Sequence, residues 1–254
     1  MPVRVCLFCS IIYVILPNLI SFHRYDNEPD PEIMCPVEGC GSKETDYFIT
    51  LPIEEQIRET VTKYASEIEA YREKIEAEKI SDINRGALAR SISAKECDKI
   101  LTLSANEDGA CSYRCTNKKP IYPLFLTINN LPPKLRFAKN NLILSALWFT
   151  KGKPNVALFH KPFIKEMQRL RDGMQIGDSI YKIILMQNCM DSVARCEIFC
   201  SKQYNGWYGC TLCLHPGKLV NNQIRYPHQK TKLRTDKETR RLMTEVKESE
   251  TQEP

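Results

Sequence analysis

The order of apolar runs between residues 97 and 190 constrains this chain more than any other feature. Ile100 to Ala105 is a strand-length run that ends at Asn106-Glu107-Asp108-Gly109. Tyr122 to Ile128 is a second, and Leu142 to Phe149 a third, bounded by Asn140-Asn141 and Lys151-Gly152. From Asn155 to Leu170 the period changes. Phe159, Phe163, Met167 and Leu170 fall on one helical face, and Gly173 is placed to stop the helix. Ser179 to Met190 is a fourth strand, and Asp191 stands at its end. The order is β-β-β-α-β. A crossover helix before the fourth strand predicts an α/β fold with a mixed sheet.

The flanking segments divide the chain further. Residues 1–45 carry Cys6-x-x-Cys9 and Cys35-x4-Cys40, separated by an acidic, proline-containing stretch. That is the layout of a zinc ribbon, in which Cys6, Cys9, Cys35 and Cys40 give one Zn²⁺ four soft ligands; His23 is a substitute ligand. Val5 to Phe22 also reads as an apolar membrane or export segment, interrupted by Pro17-Asn18. Both readings stay open. Residues 46–95 form a second region. Ile57, Val61, Tyr64, Ile68, Tyr71 and Ile75 predict one helix over 54–80 with an a/d seam. The seam either joins two copies through residues 57–75 or lies on a neighbouring domain; fewer than three heptads favour the second. Ser81 to Ser93 reads as linker. Residues 96–230 hold the β-β-β-α-β core. Residues 231–254 form a charged tail, with a capping box at Thr235-Asp236-Lys237-Glu238 opening a helix to about Glu248.

Composition sets the limits. A chain of 254 residues with 43% hydrophobic content can bury a real core. A net charge of +5 is compatible with nucleic-acid contact without requiring it. Twelve cysteines mean either disulfides or thiolate metal sites. Cys210-x-x-Cys213-x-His215 places three soft ligands within six residues, with Cys200, Cys196 or a downstream group as the fourth. Cys97, Cys111, Cys115, Cys189, Cys196 and Cys200 otherwise read as buried thiols. Three strands, a crossover helix and a fourth strand are also how an RNase H-like fold begins. Such nucleases hold two divalent cations between carboxylates from their first and fourth strands, and Asp108 and Asp191 stand at those places. Mg²⁺ is the ion suited to oxygen ligands. Asp at a strand end is also a common turn-former.

Five blocks in order carry a resemblance: Asn130–Phe149 (NLPPKLRFAKNNLILSALWF), Lys153–Leu170 (KPNVALFHKPFIKEMQRL), Asp191–Arg195 (DSVAR), Gln203–Gly217 (QYNGWYGCTLCLHPG) and Arg225–Pro227 (RYP). They resemble the transposase of CACTA (En/Spm-like) DNA transposons, over roughly residues 97–245. The resemblance implies a partial RNase H-like domain preceded by a small zinc-ribbon-like segment and a long helix. It implies that Asp108 and Asp191 are catalytic carboxylates binding Mg²⁺, and that Cys210, Cys213 and His215 form a structural Zn²⁺ knuckle. It also implies transposon-end DNA as partner, no small-molecule cofactor, and a nuclear location; Lys134, Arg136, Lys151 and Lys153 read either as phosphate contacts or, the favoured alternative, as a solvated basic surface. After Gly109 the chain reads ACSYRC, where relatives are more apolar. The family's third carboxylate falls beyond residue 254, so the chain reads as a truncated copy that does not cut DNA alone. A non-enzymatic zinc-containing module that binds nucleic acid or protein is the first alternative. A membrane-anchored protein is the second.

Overall fold

The computed structural model describes residues 2–6, 11–14, 45–77, 82–95, 99–111, 120–149, 154–199 and 201–250. In chain order its elements are β1 (Pro2–Cys6), β2 (Ile11–Val14), β3 (Thr45–Thr50), α1 (Ile53–Lys63), α2 (Ala65–Ala77), α3 (Ala87–Lys95), β4 (Lys99–Glu107), β5 (Ala110–Cys111), β6 (Pro120–Ile128), α4 (Pro133–Arg136), β7 (Ile143–Phe149), α5 (Val156–Asp172), β8 (Met174–Ile176), β9 (Ser179–Cys189), α6 (Ser192–Ile198), β10 (Lys218–Val220), β11 (Gln223–Arg225) and α7 (Asp236–Glu250). Residues Met1–Met190 and Asp191–Pro254 form two compact units.

The first unit is a mixed sheet with helices, in the strand order β2-β1-β3-β7-β6-β4-β9-β8. Consecutive partners from β3 to β4 are antiparallel, whereas β4 and β9 are parallel. β7 therefore runs in the same direction as β9, and α5 carries the chain between them. On β4, Leu101, Leu103, Ala105 and Glu107 recur every second residue and are all buried. That is one face of a strand. Leu101, Leu103 and Ala105 share a core with Leu124, Leu126 and Ile128 of β6, Trp148 of β7, and Phe159, Phe163, Met167 and Leu170 of α5. The α5 residues are the predicted stripe. Asn155 caps α5 by accepting the Leu158 N–H at 3.1 Å, and Gly173, at φ 144°, ends it.

Several expectations change. The helix expected over 54–80 is two helices that meet at Tyr64. Ile57 and Val61 are buried in the chain's own core, in keeping with the favoured alternative of a face lying on a neighbouring domain, because α1 docks on β7 and β8. Gln56 fixes that docking: its side chain donates to Leu144 O and accepts the Leu144 N–H, each at 3.1 Å. The expected linker is ordered, with a 3-10 turn at Ile83–Arg85 followed by α3. The reason is a buried ion pair. The Arg136 guanidinium meets both Asp82 oxygens, at 2.9 and 2.6 Å, and also donates to the carbonyls of Leu131 and Asn129. Arg136 is therefore not placed to contact phosphate. β8 and the β10–β11 hairpin were too short for apolar periodicity to reveal. Asn221 and Asn222, at φ 49° and 57°, make the tight turn of that hairpin.

At the N-terminus, β1 pairs with both β2 and β3 and so extends the sheet through β3. Cys6 lies on β1. Cys9, Cys35 and Cys40 lie outside the described residues, as do Lys151 and Lys153. Val5 and Cys6, and then Ile11 to Val14, are in strands. Among the described residues no helix is long and apolar enough to cross a membrane.

Candidate functional site

The parity of β4 decides which acid faces where. Glu107 continues the buried row of Leu103 and Ala105, and Asp108, one residue on, is exposed just past the strand. Gly109 follows under a close neighbour: a Cβ there would come within 2.7 Å of the Tyr122 ring. The parallel register of β4 and β9 runs as far as Asn106↔Cys189. Asp108 and Asp191 each follow two residues later in sequence. Asp191 opens the second unit as the N-cap of α6, where its Oδ1 accepts the Ala194 N–H at 2.7 Å. One of its oxygens is thus engaged in capping.

Beside the strand ends lies a buried group that sequence reasoning missed. Both Glu107 carboxylate oxygens lie within hydrogen-bond distance of His160 Nε2, at 2.8 and 2.9 Å, and Asn188 Nδ2 approaches at 3.5 Å. Glu107 and His160 are both buried. Two signals were present in the sequence. Glu107 lies on the two-residue period of Leu101, Leu103 and Ala105, and His160 falls three residues before Phe163 on the apolar stripe. A buried carboxylate needs such a partner. Glu107→Gln keeps the volume but replaces one acceptor with an NH₂ donor facing His160. It is expected to lower stability by about 1–3 kcal/mol, read as a lower urea midpoint; an unchanged midpoint would mean the pair contributes nothing.

In the second unit Cys210 and Cys213 come together, with their sulfurs 3.4 Å apart. Hydrogen bonding with the Thr231 hydroxyl, then with the His215 backbone and Cys210, holds the Cys213 thiol below its usual range, and Arg234 adds to this electrostatically. The two cysteines line a cavity of about 410 Å³ together with Cys196, His215, Tyr226 and His228. Cys196, a proposed fourth ligand, is buried and its thiol donates to Lys202 O at 3.4 Å. Cys200 lies outside the described residues.

His215 does not join the thiols as a ligand. Its Nδ1 accepts the Gly217 N–H at 2.9 Å, which leaves Nε2 to carry the proton it donates to Pro227 O at 3.0 Å. It is buried and packs edge-on to Tyr226. Both ring nitrogens are engaged by backbone, and a metal needs one lone pair free. Zn²⁺ requires four tetrahedral donors, and the Cys210–Cys213 pair fits only half of that set. Among the described residues no three His, Cys, Asp or Glu side chains are gathered closely enough to hold a metal ion. No protein-family model matches the sequence, and no curated protein matches it.

Proposed function

We propose that the chain derives from a CACTA-type DNA transposase with an RNase H-like core, and that Asp108 and Asp191 are two carboxylates of its ancestral site. One observation carries this reading. β4 and β9 are parallel neighbours in register to Asn106↔Cys189, and an aspartate follows each residue of that last pair two positions later in sequence. Three antiparallel strands, a crossover helix and a fourth strand parallel to the first support it, since ligands of open α/β sheets bind beyond the carboxyl ends of the strands. Mg²⁺ suits an all-oxygen pair and, when bound, would activate water or a 3′-hydroxyl. Transposon-end DNA as partner and a nuclear location belong to the same proposal.

No third carboxylate is assigned within these residues, so the purified chain is expected to leave DNA uncut in Mg²⁺. Weak Mn²⁺ binding that is lost on Asp108→Asn is the expected remnant, measured by paramagnetic resonance. Robust cleavage abolished by Asp191→Ala would overturn the inactivity. Absence of any Mn²⁺ binding would remove the two-metal reading. The second reading is a non-enzymatic module that binds nucleic acid or protein. The helix-capping role of Asp191 favours it.

A further inference from the structure

From Phe199 to Thr235 the chain contains Lys202, Lys218, Arg225, Lys230, Lys232 and Arg234, and no Asp or Glu. Six positive charges in that stretch against +5 for the whole chain leave −1 for the rest. The entire basic excess therefore belongs to this one segment. The same segment exposes Tyr204, Trp207 and Tyr208, at 62%, 47% and 55%. Large exposed rings in a charged segment mark an interaction surface, because their burial against a partner is favourable.

The loop that presents these rings is fixed. Tyr226 Oη accepts the Gly209 N–H at 2.6 Å and donates to Gly206 O. Tyr208 N–H donates to Pro216 O at 3.0 Å. Arg234 donates to the carbonyls of Tyr208 and Cys210, each at 2.9 Å. Gly209 is required by close approach, since a Cβ there would sit 2.0 Å from Gln203 O. Tyr208 is held at φ 57°, a backbone region that costs an ordinary side chain energy. The loop backbone is thus anchored while its rings face solvent, and a preorganised surface loses little entropy on binding.

We propose that the Tyr204–Tyr208 loop is a stacking platform for unpaired bases of single-stranded nucleic acid, with Lys202, Lys218, Arg225 and Lys230 of the same segment on the phosphates. The charge selects a polyanion rather than an apolar protein face, and the flat rings select bases that are not already stacked in a duplex. This extends the nucleic-acid reading above but needs neither acid nor Mg²⁺, so the two can fail separately.

Tryptophan fluorescence tests it directly. The chain has two tryptophans; Trp148 is fully buried and Trp207 is exposed. Titrating the full chain with a mixed-sequence single-stranded DNA oligonucleotide in Mg²⁺-free buffer should quench Trp207. A duplex of the same sequence should quench less. Trp207→Ala should weaken single-strand binding, followed by anisotropy of a labelled oligonucleotide, about 10-fold or more. Tyr208→Gly suits the positive φ, so it removes a ring without straining the loop, and should also weaken binding. Affinity should fall steeply with salt. Absence of binding overturns the proposal. So does binding indifferent to both ring variants, or equal binding of duplex, which would indicate phosphate contact alone. A protein partner that competes for Trp207 while oligonucleotides do not would also overturn it.

Discussion

Arg136→Ala is expected to destabilise the first unit by about 3–5 kcal/mol, because it leaves a carboxylate buried without its partner. Arg136 and Asp82 have side chains only 5% and 10% exposed. The guanidinium also satisfies two buried carbonyls, so four acceptors lose a donor together. Domains are stable by only about 5–15 kcal/mol, and a loss of this size should lower the thermal midpoint by roughly 10 °C. Arg136→Lys keeps the charge without the planar fork and should recover only part of the loss. A midpoint unchanged by Arg136→Ala would contradict the pair's role. The same pair sets a pH dependence. Burial by itself would raise the Asp82 pKa, but hydrogen bonds from Arg136, Tyr71 and the Ile83 backbone hold it at about 2. The folded value lies below the unfolded one of about 3.9. Stability from Asp82 is therefore fully present above that unfolded value and is lost as pH falls towards 2. Burial and Asp82 push the neighbouring Tyr71 the other way, to about 12. Asp82→Asn should flatten the acid limb of the stability curve.

Phe159→Ala should have an effect of the same size for a different reason. Phe159 meets Phe48 at 5.6 Å and Trp148 at 5.5 Å, both edge-on, while Phe48 and Trp148 stack at 5.0 Å. All three are buried, and they join α5 to β3 and β7. Removing the ring forfeits its transfer energy and leaves a cavity, a loss of about 3–5 kcal/mol. Trp148 gives an independent readout, because its emission should shift to the red as water reaches it, in a Trp207→Phe background. Phe159→Leu, which fills most of the space, should cost less. Equal stability of the alanine variant and the parent would show that the triad is not the anchor of α5.

The elements legible beforehand share one property: their own side chains carry a period. The apolar run Ile100–Ala105, which falls within β4, and the Phe159–Leu170 stripe each appear where they were expected. The elements that were missed lack this property. The 3-10 turn at Ile83–Arg85 is ordered by a partner 54 residues away in sequence, Arg136 meeting Asp82. The break at Tyr64 has no glycine or proline to announce it. The site divides in the same way. Asp108, Asp191 and the Cys210–Cys213 pair were visible as residue types at telling positions. The commitment of His215 to Gly217 and Pro227, and the Glu107–His160 pair, depend on what packs against each side chain.

The sequence by itself determined the order of strands and crossover helix, because burial periods are local and the polar runs between them break the pattern. It also determined that the positive charge gathers between residues 199 and 235. Only the tertiary structure decided that Glu107 meets His160. It also decided that His215 pins a loop instead of joining the thiols, since a side chain's hydrogen-bond partners come from segments that meet only on folding. The rings of Tyr204, Trp207 and Tyr208 could have been core residues as far as their chemistry goes. They face solvent because Tyr226, Arg234 and Pro216 hold the backbone that presents them.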